Sequence, residues 1–302
     1  MSKLSVDFLG LSWKNPLAAA SGTFGFGESY KSLFDPSIIG AICTKGITLE
    51  PKEGNSGIRI WETESGLLNS IGLENPGIDS FIYDILPEMG NLGTIIIANV
   101  GGDTVDSYLL ALDILNSADD VGMIELNISC PNVKAGGMAF GVHPKDAYWI
   151  TQLAKQVTDK PMMVKLSPNA YDITECALAA ESAGADGISL VNTFQAMAID
   201  IAARKPVFDN VYAGLSGPAI KPIALRMLHQ TAKAVSVPIC GIGGISSAQD
   251  VIEFMMAGAS VVQVGSAVFK DPYVYGKILA GLDEFMEKEG LHNISEIVGA
   301  AL

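Results

Sequence analysis

Short apolar runs recur along this chain, and each stops at a small, polar or reactive residue. They span residues 16–21, 41–45, 94–99, 123–127, 162–165, 187–192, 237–241 and 260–265, eight in all. The runs are continuous rather than alternating. That pattern suits parallel strands buried on both faces. Helix-like segments separate most of them, most clearly 172–183 and 247–257. A weak internal repeat agrees: Glu181-Ser-Ala-Gly-Ala-Asp-Gly-Ile-Ser-Leu-Val resembles Phe254-Met-Met-Ala-Gly-Ala-Ser-Val-Val-Gln-Val. Each reads as a helix closing at glycine, a tight turn and a buried strand. Gly184 and Gly258 fit the left-handed position that ends a helix.

Eight β-α units in 302 residues predict an α/β fold, a (β/α)8 TIM barrel, as one domain over 1–302. An open doubly wound sheet is the weaker alternative, because no GxGxxG follows the first run. Residues 4–13 predict a small hairpin turning at Leu9-Gly10 and plugging the barrel floor. Residues 47–78, rich in Gly, Asn and Pro, and residues 194–217 are long connections. Long loops in a compact domain are usually functional. In a barrel the site is built by loops that follow the strand C-termini.

Composition narrows the classes. Apolar residues make up 49% and charged residues only 17%, so much of the chain must be buried. The formal net charge of -14 suits solubility and argues against nucleic acid, whose phosphates need Lys and Arg clusters. No window approaches the ~20 apolar residues of a spanning helix. The N-terminal decapeptide has no apolar core for a signal peptide. A soluble, cytoplasmic protein without a membrane partner is expected. Cys43, Cys130, Cys176 and Cys240 form no CxxC pair, and His143, His229 and His292 are scattered. Reduced thiols and no metal site are expected.

Polar groups close the apolar runs: Ser21, Lys45, Asn99, Asn127, Lys165, Asn192 and Thr193. Burying them without partners would cost free energy. Each alone could bond loop backbone, but two lysines and three asparagines together point to a polar ligand at the barrel mouth. Cys240-Gly-Ile-Gly-Gly-Ile-Ser-Ser ends run seven and opens a helix at Ser246 or Ser247, and Gln263-Val-Gly-Ser-Ala ends run eight. Small residues there let backbone N–H groups approach a phosphate, in the place where barrels often hold one. Relief of crowding is the other reading of those glycines. Cys130 follows run four and leads into Gly136-Gly137, a loop able to move as a lid. A thiol tuned toward neutrality can act as a base. Cys43 within a strand and Cys176 within a helix read as structural, and Cys240 shows no sign of reactivity.

With these residues assembled, the chain resembles the class 1 dihydroorotate dehydrogenases over nearly its whole length. The motifs are Ala20-Ser-Gly-Thr-Phe-Gly, Thr44-Lys-Gly-Ile-Thr, Leu68-Asn-Ser-Ile-Gly-Leu-Glu-Asn-Pro-Gly, Asn127-Ile-Ser-Cys-Pro-Asn, Val164-Lys-Leu-Ser-Pro-Asn, Val191-Asn-Thr, Leu215-Ser-Gly, Gly241-Ile-Gly-Gly-Ile and Val264-Gly-Ser. Ser70 stands where many relatives have Ala. Asn132-Val-Lys-Ala-Gly-Gly looks like the NAD-linked 1B subtype, although fumarate-linked class 1 enzymes share most of these motifs.

The resemblance implies FMN and the oxidation of dihydroorotate to orotate for pyrimidine synthesis. It makes Cys130 the catalytic base at C5, with hydride leaving C6 for the flavin. It assigns FMN to Ser21, Lys45, Gly46, Asn99, Asn127, Lys165, Val191, Gly217, Gly243, Gly244, Gly265 and Ser266. It assigns substrate to Lys45, Asn69, Ser70, Ile71, Gly72, Leu73, Asn127, Asn192 and Thr193. It also implies a partner subunit with FAD and a 2Fe–2S cluster, two of each chain assembling around a homodimer. The scattered cysteines here cannot hold that cluster. No amphipathic segment precedes the barrel, so quinone-linked membrane enzymes are set aside.

The nearest competitor is a dihydropyrimidine dehydrogenase-like module, separated by its substrate. A flavin-dependent tRNA dihydrouridine synthase fits poorly with the acidic charge. A redox-free lyase or isomerase barrel has no use for Lys165 with Cys130. A non-catalytic scaffold barrel predicts a colourless protein.

Overall fold

The computed structural model describes residues 2–129 and 140–302. Eight parallel strands close a barrel: β1 (Leu17–Ala19), β2 (Ala41–Cys43), β3 (Ile95–Val100), β4 (Val121–Asn127), β5 (Met162–Lys165), β6 (Gly187–Leu190), β7 (Ile239–Ile242) and β8 (Val261–Val264). Neighbours follow chain order, and β8 returns to β1 through Val262–Leu17, Gln263–Ala18 and Val264–Ala19. This is the (β/α)8 barrel that the apolar runs predict. All eight strands are buried at all or all but one of their positions, with one face to the barrel interior and the other to helices.

The connecting helices start where the sequence supplies caps. Asp172 accepts from the N–H groups of Thr174 and Glu175 and opens Ile173–Ser182. Ser247 accepts from Asp250 and opens Ala248–Met256. Ile173, Cys176, Ala177 and Ala180 form the buried stripe of the first helix, at helical spacing. Both helices end before a glycine at positive φ, 99° at Gly184 and 113° at Gly258, as the repeat predicts.

Val6–Phe8 and Leu11–Trp13 form the N-terminal hairpin. Leu9 and Gly10 both have positive φ, the requirement of a two-residue turn that matches strand twist. A Cβ added to Gly187 would lie 3.1 Å from Leu9, and one on Gly122 would lie 3.6 Å from Leu11. Both glycines sit at or near strand starts, so the hairpin caps the N-terminal end of the barrel.

The two long connections are more ordered than their composition suggests. Together they build one antiparallel sheet in the order Phe194–Met197, Tyr212–Ser216, Gly66–Asn69, Ile60–Thr63. Leu68, Val207, Phe208 and Ala213 form its own small apolar cluster. No helix among the described residues is long and apolar enough to cross a membrane.

Candidate active site

Four of the polar strand ends, Asn99, Asn127, Lys165 and Asn192, are drawn into one hydrogen-bonded group. Asn99 on β3, Asn127 on β4 and Lys165 on β5 are all buried, and so is Glu125, two residues before Asn127. Side chains alternate along a strand, so Glu125 and Asn127 face the same side. Asn127 Nδ2 donates to Asn99 Oδ1 at 3.2 Å, and Asn99 Nδ2 donates to Glu125 Oε1 at 2.6 Å. Lys165 Nζ donates to the same Glu125 oxygen at 3.2 Å. Beyond β6, Asn192 Nδ2 reaches the Ser129 hydroxyl at 2.5 Å. The Tyr108 hydroxyl donates to the Asn127 carbonyl at 2.7 Å and pins the end of β4.

Burial opposes both charges of the Glu125–Lys165 pair. Their attraction, with hydrogen bonds from Cys43, Gln263 and Asn99, outweighs it. Glu125 is held below the usual carboxylate range and Lys165 above the usual amine range. Sequence reasoning missed Glu125, Ser129 and the role of Gln263, whose Nε2 donates to Glu125 Oε2 at 2.7 Å. A signal for Glu125 existed: it is the sole charge inside the apolar run 123–127.

The glycine turns after β7 and β8 form a second part of the site. Gly243 and Gly244 have φ of 132° and 72°. A Cβ on Gly244 would lie 2.8 Å from the Gly217 carbonyl oxygen and 2.9 Å from the Lys221 nitrogen. One on Gly243 would lie 2.7 Å from Ala224 and 3.4 Å from Val191. Val191, Gly217, Gly243 and Gly244 therefore pack together. Gly265 is less constrained, in ordinary contact with Ala20 and Thr23 on either side of Ser21. Among the described residues the backbone N–H groups of Gly243, Gly244, Gly265 and Ser266 donate to no protein acceptor. Such donors at the ends of strands seven and eight fit a phosphate. The N–H of Ser246 is already taken by Asp250 at 2.8 Å, so the unpartnered donors here are those of the glycine turns and not of the next helix.

The third part is the loop at residues 69–73. A cleft of about 550 Å³ is lined by Gly22, Lys45, Lys52, Ile71 and Asn75, among others. A Cβ on Gly46 would sit 3.0 Å from Asn99 Oδ1 and 3.5 Å from Leu73, so the 69–73 loop lies over the strand ends. Asn69 Nδ2 donates to the Gly214 carbonyl at 3.1 Å, and a Cβ on Gly214 would strike the Thr193 hydroxyl at 2.2 Å. The extra sheet thereby brings Asn69 to Thr193. Ser70 and Gly72 are held by Asn55, through an amide bond at 3.0 Å to the Ser70 hydroxyl and close packing at Gly72.

Cys130 and the Gly136-Gly137 run lie outside the described residues. The other three cysteines are free and buried. Burial pushes the Cys43 and Cys240 thiols well up, and burial with nearby carboxylates pushes Cys176 up to about 11. All three are poor proton acceptors at neutral pH, in line with a structural role. No cluster of metal-ligating side chains occurs among the described residues.

The profile of a protein family described as dihydroorotate dehydrogenase matches residues 3–286. The chain belongs to the dihydroorotate dehydrogenase family. Among its similar proteins is the dihydroorotate dehydrogenase B (NAD(+)) catalytic subunit of Petrotoga mobilis, 52% identical over 99% of each chain. The proteins of that name from Caldicellulosiruptor bescii and Halalkalibacterium halodurans are 51% and 49% identical, over 98% and 100% of this chain. Membership in the dihydroorotate dehydrogenases fits a barrel whose mouth carries amides, a buried lysine and glycine turns with N–H groups unpartnered among the described residues.

Proposed function

We propose that this chain is the catalytic subunit of an NAD-linked, class 1B dihydroorotate dehydrogenase, oxidising dihydroorotate to orotate in pyrimidine synthesis. The observation that carries the reading is the joining of Asn99, Asn127 and Asn192 with Lys165 at one end of the barrel. Amides supply donors and acceptors to an amide-rich ring, and cations balance its carboxylate and charge developing nearby. FMN would be held by Ser21, Lys45, Gly46, Asn99, Asn127, Lys165, Val191 and Gly217, with its phosphate on Gly243, Gly244, Gly265 and Ser266. When bound, it accepts the hydride that leaves C6 of the substrate. Lys45, residues 69–73, Asn127, Asn192 and Thr193 would orient dihydroorotate. Cys130 would remove the C5 proton.

Gly244→Val tests the phosphate placement. The new side chain points at Gly217 and Lys221, so it displaces the cradle from behind. The variant is expected to purify with little or no flavin. Full FMN occupancy would refute the placement.

The relatives' names speak of a catalytic subunit and NAD. We infer a partner with FAD and a 2Fe–2S cluster, two of each chain around a homodimer, working in the cytoplasm. The isolated chain is then expected to oxidise dihydroorotate with artificial acceptors and to reduce NAD poorly until the partner is added. Fast NAD reduction by this chain alone, or efficient use of fumarate, would overturn the assignment of acceptor.

A further inference from the structure

Glu125 is wholly buried at the centre of the barrel. Its Oε1 accepts from Asn99 Nδ2 at 2.6 Å, Lys165 Nζ at 3.2 Å and Cys43 Sγ at 3.2 Å, while Oε2 accepts from Gln263. An ionised carboxylate can only accept. Asn99 must therefore turn its NH2 toward Glu125 and its carbonyl oxygen away. That oxygen takes Asn127 Nδ2 at 3.2 Å, which orients Asn127 in turn. Asn127 Oδ1 then accepts the Ser129 hydroxyl at 2.7 Å. With its proton committed, Ser129 Oγ accepts from Asn192 Nδ2 at 2.5 Å, and Asn192 Oδ1 accepts the Thr193 N–H at 2.8 Å. The acceptor-only character of Glu125 sets the sense of Asn99, and the same sense is held further out by the backbone N–H groups of Ser129, on Asn127 Oδ1 at 3.3 Å, and of Thr193, on Asn192 Oδ1.

We propose that Glu125 is a positioning residue: it fixes the donor–acceptor sense of Asn99 at the inner end of the Asn99–Asn127–Ser129–Asn192 chain and holds the Lys165 ammonium beneath it. The chain leaves a second side-chain N–H on Asn127 and on Asn192 without a partner among the described residues. The mouth is thereby biased toward a ligand rich in carbonyl and carboxylate oxygens. Without Glu125, Asn99 can turn over and set its NH2 against that of Asn127, which breaks the chain at its inner end. The ligand effects rest on the dihydroorotate and flavin reading above; the effect on Lys165 does not.

The test compares the full chain with Glu125→Gln and Glu125→Met. Glutamine keeps an oxygen for Asn99 and Lys165, and Gln263 can turn to present its own buried Oε1, which has no partner among the described residues. Orotate affinity is expected to stay within about threefold in Glu125→Gln and to fall about tenfold or more in Glu125→Met. The flavin potential of Glu125→Gln should move positive at mildly acid pH, where Lys165 stays protonated without its counter-charge. The second readout needs no flavin. Lys165 faces Glu125 from β4, Cys43 from β2 and Cys240 from β7. Side-chain 15N NMR of the apo chain should show its ammonium persisting to alkaline pH in the native protein. In Glu125→Gln it should lose its proton at distinctly lower pH, because burial then acts with no anion against it. An unchanged Lys165 titration in Glu125→Gln overturns the proposal even if Glu125→Met fails to fold. Native orotate affinity in a folded Glu125→Met overturns the amide chain. Failure of the native chain to bind flavin or orotate would instead overturn the functional reading, and the lysine titration still decides the role of Glu125.

Discussion

Lys165→Ala is expected to destabilise the protein and to lower the reduction potential of its flavin, with both losses growing as pH rises. The native pair spans two strands, with Lys165 6% and Glu125 0% exposed at the side chain. Removing one member of such a pair typically costs about 3–5 kcal/mol, because the other is left buried and uncompensated. Glu125 is held down in the native protein because Lys165 and the donors Cys43, Gln263 and Asn99 together outweigh burial, the largest single influence on it. Its contribution is present above its unfolded pKa and is lost as pH falls through the lower folded value. Without Lys165 the sign reverses. Burial then raises the Glu125 pKa above its unfolded value, so the variant is penalised as pH climbs past the ordinary carboxylate range and the group must ionise. The same ionisation leaves a bare anion near the flavin, where reduction gathers negative charge. Thermal melts and potentiometric titrations at mildly acid and mildly alkaline pH check both effects. Equal melting deficits at the two pH values, with an unchanged potential, would refute the account.

The barrel was readable because its strands are buried on both faces. Each leaves a continuous apolar run with its own stop signal, such as Lys165 after Met162, Met163 and Val164. Caps were readable too, since Asp172 and Ser247 act on N–H groups two or three residues away. The extra sheet was not. Its strand Ile60–Thr63 is exposed at every position, so no alternation marks it. The pairing of Asn69 with Gly214 joins segments far apart in the chain and leaves no local trace. The site divides in the same way. Strand-end amides and lysines announce themselves as polar stops. Glu125 stands inside a run as an anomaly, and its meaning depends on Cys43, Asn99, Lys165 and Gln263 from four other strands. The glycine pair at 243–244 was readable as a tight turn after the strand, while the direction of its constraint was not. Its missing side chains face Gly217, Lys221 and Ala224.

Cys130→Ala is expected to slow flavin reduction by dihydroorotate about 10²–10⁴-fold, the usual contribution of a positioned general base, while FMN and orotate binding stay nearly intact. The assignment rests on the motif Asn127-Ile-Ser-Cys-Pro-Asn, which puts Cys130 directly after Ser129, a member of the amide chain. The other thiols are unsuited to the task. Cys43 is buried and donates to Glu125, Cys240 is buried beside the same pair, and Cys176 lies on a helix with its thiol pushed up to about 11. A base must reach its deprotonated form near working pH, and burial withholds that form from all three. Cys130→Ser should also be slow at neutral pH, since a hydroxyl is a far weaker acid and needs another group to activate it. In the native protein the reduction rate should rise with pH as the Cys130 thiol ionises, and that rise should vanish in Cys130→Ala. Stopped-flow flavin reduction across pH, with substrate deuterated at C5, separates this step from hydride loss at C6. A native rate and an unaltered pH profile in Cys130→Ala would show that another group takes the C5 proton. The hydroxyl of Ser129, bonded to Asn127 and Asn192, would then be the first group to replace.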